Sequence, residues 1–264
     1  MKKTVAGLGV SFMVFASLAW AQEPAAPTLS GELDAAEKFQ SHAEIVQFIR
    51  DRVSADPGQA LAAAKWLQEH SIGQTDPAKT DAVYFLAYSD ILGNMRGQLA
   101  QAGRQDEVAQ LGKLSLAALY MYEALSARDA ARCEDETVPA SVNSITQVRL
   151  SSLQPVIASA SKKDLDAMGK NATTLDLKLA ARPASDAICS YGVARMRDML
   201  AQPGVETHAA DTKEGTPART EVVPPQGYRY APKFVADDVA TQRTNAARAE
   251  LAKKWEERSA AARK

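Results

Sequence analysis

The sequence predicts an all-α protein: an irregular bundle of about six to seven helices built from αα-hairpins, then an extended linker and a charged C-terminal helix. Composition is the first reason. Hydrophobic residues make up 46% of the chain, but alanine supplies much of that. Aromatics reach only 6% and β-branched runs are scarce, which suits helices better than strands. Periodicity is the second: from Ala35 to Leu200 apolar residues recur at steps of three and four. The third is punctuation, since Asp-Pro, Gly and Ser signals separate these stripes at helix-length intervals.

Ala35, Phe39, His42, Val46, Ile49 and Val53 share one face and predict a first helix. Asp56-Pro57 joins a good N-cap to a residue suited to the first helical turn, so a second helix follows and ends at Ser71 and Gly73. Asp76-Pro77 repeats that start, and a third helix carries Tyr84, Tyr88, Ile91, Met95 and Leu99 as far as Gly103. The fourth, with Val108, Leu111, Leu114, Ala118, Tyr122 and Leu125, completes an αα-hairpin and delivers Cys133 near its apolar stripe. A fifth helix holds Val142, Ile145, Val148, Leu153 and Val156, with a kink at Pro155. Ser161 to Asp164 reads as a capping box opening a sixth, marked by Leu165, Met168, Ala172, Leu175 and Leu179 and ended by Pro183. Cys189, Val193, Met196 and Leu200 define a seventh.

The expected organisation is a signal peptide over 1–21, a flexible leader over 22–31, a helical domain over 32–202, a Pro-rich linker or strap over 203–234 and a C-terminal helix over 235–264. Lys2 and Lys3 precede an apolar run that ends in Ala19-Trp20-Ala21, the pattern a signal peptidase cuts. That run is shorter than the ~20 residues a membrane span requires, and no stretch after Ala21 is apolar for long enough to cross. The expected location is periplasmic or secreted. There an even count of cysteines reads as a disulfide, Cys133 to Cys189. By loop entropy such a bridge adds roughly 4 kcal/mol. Glu134, Asp135 and Glu136 would suppress a reactive thiolate at Cys133.

Pro203, Pro217, Pro224, Pro225 and Pro232 fall among polar residues with no apolar period, hence the strap. Its end alternates Tyr228, Tyr230 and Phe234 with Arg229 and Lys233, either pinning the strap to the body or forming a recognition segment. The terminal helix has a thin seam of Ala240, Ala247, Leu251 and Trp255, which predicts loose attachment or docking onto a partner. Tyr228, Tyr230, Phe234, Leu251 and Trp255 are thus the candidate partner contacts.

Catalytic signatures are scarce. H-E-x-x-H, G-x-S-x-G, G-x-x-x-x-G-K-[ST] and G-x-G-x-x-G are absent, so no cofactor or metal site is expected and no catalytic residue is assigned. His42 lies on a core stripe with no titratable neighbour along it and reads as a buried structural histidine. The formal net charge of −1 argues against nucleic acid. These features point to a non-enzymatic binding or scaffolding module of the bacterial envelope, whose partner is another envelope protein or a peptide. The alternatives are an envelope hydrolase with a site of scattered carboxylates, and a secreted inhibitor or effector. Intact mass of the exported protein should place Gln22 at the N-terminus. A mature product that retains the apolar run would refute the export reading.

Overall fold

The computed structural model describes residues 28–74, 76–210 and 219–262. The signal peptide expected over 1–21 and the leader residues 22–27 lie outside the described residues. The fold is all-α, as the composition predicts: most of the described residues are helical, and the one sheet among them has only two strands. The eleven α-helices among the described residues exceed the expected number because several expected helices are broken.

The first expected helix is two: α1 (Leu29–Ala36) and α2 (His42–Ala55). Ser41 and Glu44 form a reciprocal capping box that starts a new helix. The break leaves Phe39 85% exposed rather than on the core stripe. The flexible leader was expected to reach residue 31, but Leu29 is buried and the first turn of α1 occupies 29–31. After α3 (Ala60–Ser71), Asp76-Pro77 opens only a short 3₁₀ turn, Pro77–Lys79. The next long helix, α4 (Ala82–Gln101), starts from its own cap, where Asp81 Oδ1 accepts the Val83 N–H at 3.0 Å.

α4 and α5 (Gln105–Arg132) form the expected hairpin, turning at Gly103 with φ of +74°. They are the centre of the molecule. Residues 82–89 of α4 are all buried, so that end of the helix is apolar around its circumference and must be enclosed. α2 and α3 cover α4. α5 is covered by α6 (Val138–Ser152), α7 (Gln154–Ser159), α8 (Lys162–Lys178), α9 (Asp186–Cys189) and α11 (Asp237–Ala261). Pro155 does not kink one helix but opens α7.

The expected seventh helix is also broken. α9 ends at Cys189, and α10 (Val193–Leu200) leaves in a new direction. Asp135 is the cause: its Oδ2 accepts the Ala194 N–H at 2.7 Å, so closely against Gly192 that a Cβ there would collide with the carboxylate. Val193, Met196 and Leu200 therefore face outward, and Met199 is buried instead. The strap was expected as a Pro-rich linker or extended segment. It contains an antiparallel pair, β1 (Glu206–Ala210) and β2 (Arg219–Val223), with Glu206 opposite Val223 and Ala210 opposite Arg219.

The terminal helix is not loosely attached. Trp255 is 8% exposed, stacks on Tyr120 and lies against Gly169, where a Cβ would crowd the indole. Its Nε1–H donates to buried Glu123 at 2.8 Å, and Arg258 holds both oxygens of the same carboxylate at 2.9 Å. Arg248 adds a 2.6 Å bond to Asp176 on α8. A count of large apolar side chains misses this, because a buried carboxylate on α5 is neutralised only when α11 is docked. Trp255→Ala should therefore lower global stability by about 3–5 kcal/mol in denaturant titration. A loss under about 1 kcal/mol, the scale of a surface substitution, would mean the helix is detachable.

Candidate functional site

The buried charges are concentrated where α4, α5, α8 and the α8–α9 connection meet. Asp129 is fully buried on α5 and accepts from Arg182 at 2.6 Å. Arg182 also donates to the Thr80 carbonyl at 3.4 Å. The residue preceding Asp129, Arg128, caps the end of α8 through the Leu179 carbonyl at 2.6 Å and approaches Asp176 at 3.4 Å. The Arg182 carbonyl in turn accepts from Arg132 at 3.1 Å. Burial raises the Asp129 carboxyl to about 6, with Asp81 adding to the rise and Arg182 and Arg128 opposing it.

Arg132 and Arg182 of this cluster line a cavity of about 640 Å³. The N-terminus of α2 contributes His42, and the loop before α4 contributes Thr80 and Asp81. Arg132 comes from the end of α5, Arg182 to Asp186 from the α8–α9 connection, and Phe234 from the strap. The Cys133–Cys189 disulfide, with Cα atoms 5.5 Å apart, ties the α5 wall to α9, as the cysteine count predicts. The strap is held to the same corner by two backbone bonds, Glu134 N–H to the Lys233 carbonyl and Val235 N–H to the Arg132 carbonyl.

His42 is not a buried core histidine. It is the first residue of α2, its side chain is partly exposed, and Nδ1 lies 3.1 Å from Asp81 Oδ2. The edge of Tyr84 packs against the ring. A carboxylate only accepts, so Nδ1 carries the proton and Nε2 is the ring nitrogen that Asp81 does not engage. Asp81 has little spare capacity: Oδ1 takes the Val83 N–H and the Ser185 hydroxyl, the latter at 2.9 Å, and Oδ2 takes His42. Burial raises the Asp81 carboxyl, but the His42 hydrogen bond, the Arg182 and His42 charges and the Val83 N–H outweigh it and hold it below the usual carboxylate range.

Two groups on the wall remain uncommitted. Arg132 is half-buried and has no carboxylate within ion-pair distance among the described residues. The Nε–H of Arg182, 2% exposed, is buried with no acceptor among them. Asp186, exposed in the first turn of α9, stands on the lining as well. Ser185 donates to Asp81 and Ser41 to Glu44, so neither hydroxyl is presented to His42 as a nucleophile. The Ser-x-x-Lys spacing of Ser159 and Lys162 holds no catalytic pair: Ser159 donates to the Val156 carbonyl and Lys162 pairs with Asp166.

The structure scatters the expected contact residues. Phe234, 43% exposed, is on the cavity. Tyr228 is bonded to Asp198 at 2.8 Å on α10, and Tyr230 lies half-buried on the strap. Leu251 and Trp255 pack against the core. Leu251 also lines a second cavity, a trough of about 670 Å³ between α5, α6 and α11. Alanines dominate that trough, and its rim charges are paired within the chain, Arg243 with Glu136 and Lys254 with Glu250. Among the described residues no His, Cys, Asp or Glu cluster is placed to hold a metal, and no helix is long and apolar enough to cross a membrane.

Fold and site together define a disulfide-clamped all-α protein with a polar cavity at the clamp. No known protein family, curated protein or solved structure matches the chain.

The depressed Asp81 carboxyl has a definite sign. Its stabilisation is complete above the unfolded value of about 4 and is lost as pH falls through the lower folded value. The stability difference between wild type and Asp81→Asn should be level near pH 5 and shrink below about pH 4. A gap that widens on acidification would reverse the assignment; His42, Arg182 and Asp129 are the charged groups facing Asp81.

Proposed function

We propose that the protein is an exported, non-enzymatic binding module of the bacterial envelope, and that it holds a small polar molecule in the cavity at the Cys133–Cys189 clamp. The observation that carries this reading is the contrast on the cavity wall. Asp81 and Ser185 have their hydrogen-bonding capacity largely used within the chain, whereas Arg132 and His42 Nε2 do not. A wall fixed by its own bonds and carrying a few convergent free groups is organised to receive a ligand. The volume is within the range of small-molecule sites. Export accounts for the disulfide, since oxidising compartments are where such bonds persist.

A hydrolase is the second reading, and it rests on the His42–Asp81 pair, which has the orientation of a general base and its positioning acid. With Ser41 and Ser185 otherwise engaged, water would have to be the nucleophile.

One experiment separates these readings. A library of small polar metabolites, screened by ligand-observed NMR against the full chain, should give hits that disappear with Ala184→Trp. That substitution fills the cavity from its lining without removing a polar partner. Hits retained by Ala184→Trp, or no hit at all, would overturn the binding reading. Turnover of a hit, abolished by His42→Ala, would replace it with the hydrolase.

A further inference from the structure

We infer that the ligand of this cavity is a small carboxylate carrying a flat apolar group, its anion gripped by Arg132 and its apolar face laid against Phe234. The inference rests on the reading of the cavity as a ligand site and adds the ligand's chemistry.

Charge balance supplies the first argument. The buried network joins four guanidiniums, Arg128, Arg132, Arg182 and Arg248, to three carboxylates, Asp81, Asp129 and Asp176. Arg182 is paired with Asp129, while Arg128 and Arg248 share Asp176. Asp81 is hydrogen-bonded to His42, Val83 and Ser185. Of the four guanidiniums, Arg132 is the one with no carboxylate within ion-pair distance among the described residues, and it is on the lining. Of its five N–H donors, one is used among the described residues, toward the Arg182 carbonyl. A planar fork with free donors in a partly desolvated setting selects a carboxylate in preference to a neutral amide.

Asp186 limits the alternatives. It is exposed on the same lining, so a second cationic group on the ligand could be met there, whereas a multiply charged anion would be repelled. A singly charged carboxylate therefore fits better than a phosphate.

Phe234 supplies the third argument. The backbone bridge between Phe234 and Cys133 sets the strap against the end of α5, and Phe234 keeps 43% of its surface exposed although it belongs to the cavity lining. An aromatic side chain and an unpaired guanidinium on one lining give the cavity an apolar face and a charged grip. A compact anion such as acetate would use only the second. His42 Nε2 remains available to a hydroxyl or ammonium on the ligand.

Benzoate, benzamide, acetate and inorganic phosphate test this by titration into the full chain, followed by protein-observed NMR at the cavity residues. Benzoate should bind, with benzamide and acetate each at least about tenfold weaker, the scale of one lost charge-assisted contact. Arg132→Gln should abolish benzoate binding. Phe234→Ser should weaken benzoate but leave acetate unchanged, and the melting temperature of each variant reports whether it has folded. Benzamide binding as tightly as benzoate, with both lost in Ala184→Trp, would overturn the carboxylate assignment and leave the cavity reading intact. Acetate or phosphate matching benzoate would overturn the apolar part. If none of the four shifts a cavity resonance, the inference is wrong, and the cavity reading stands or falls by the library screen.

Discussion

Asp129 is fully buried in the last third of α5, and Arg182, 2% exposed, reaches it from the connection between α8 and α9 at 2.6 Å. Neither charge has water to solvate it, so each depends on the other. Removing one partner of such a pair costs about 3–5 kcal/mol. The dependence is also positional. Arg182 must stand where its second nitrogen meets the Thr80 carbonyl and where its own carbonyl meets Arg128 and Arg132. A shift by one residue would strand several buried groups at once. The connection from α8 to α9 is thereby held to one path over the ends of α4 and α5.

Much of the rest follows from that path. It brings Ser185 onto Asp81, which caps α4 and orients His42 from α2. It brings Cys189 beside Cys133, so the disulfide joins two walls that the ion pair has already aligned. The cavity is the space these elements enclose. Its polarity comes from the means by which the connection is held: a helical bundle with an apolar core at this corner would close the gap with side chains. The cost of burying charge is offset by hydrogen bonds, and the surplus guanidinium of Arg132 is what gives the site a chemical preference.

α11 repeats the same logic six residues earlier on α5. Glu123 is buried by a helix that arrives from the far end of the sequence, and it is satisfied only by Trp255 and Arg258 of that helix. The strap between α10 and α11 is tied to the body by backbone bonds with Glu134 and Arg132 beside the cavity and by Tyr228, which bonds to Asp198 on α10. A segment with little apolar surface can therefore be an integral part of the fold when its charges complete buried pairs.

The amino-acid sequence by itself determined the helical class, the α4–α5 hairpin with its turn at Gly103, the Asp56 and Ser161 caps and the pairing of the two cysteines. These depend on spacings within a turn or two of helix, or on a count that leaves one partner. The Ser41–Glu44 capping box was equally legible, and it marks the break that a continuous apolar stripe conceals. Only the tertiary structure decided the site. Asp81 lies 39 residues from His42 and 104 from Ser185, and Glu123 lies 132 from Trp255. Along any one helix each of these charges has the spacing of a solvated face. Whether it meets water or another buried charge depends on which helices pack against it, and no local period encodes that choice. The outward turn of α10 was hidden for the same reason, because the Asp135 contact that redirects it comes from 59 residues away.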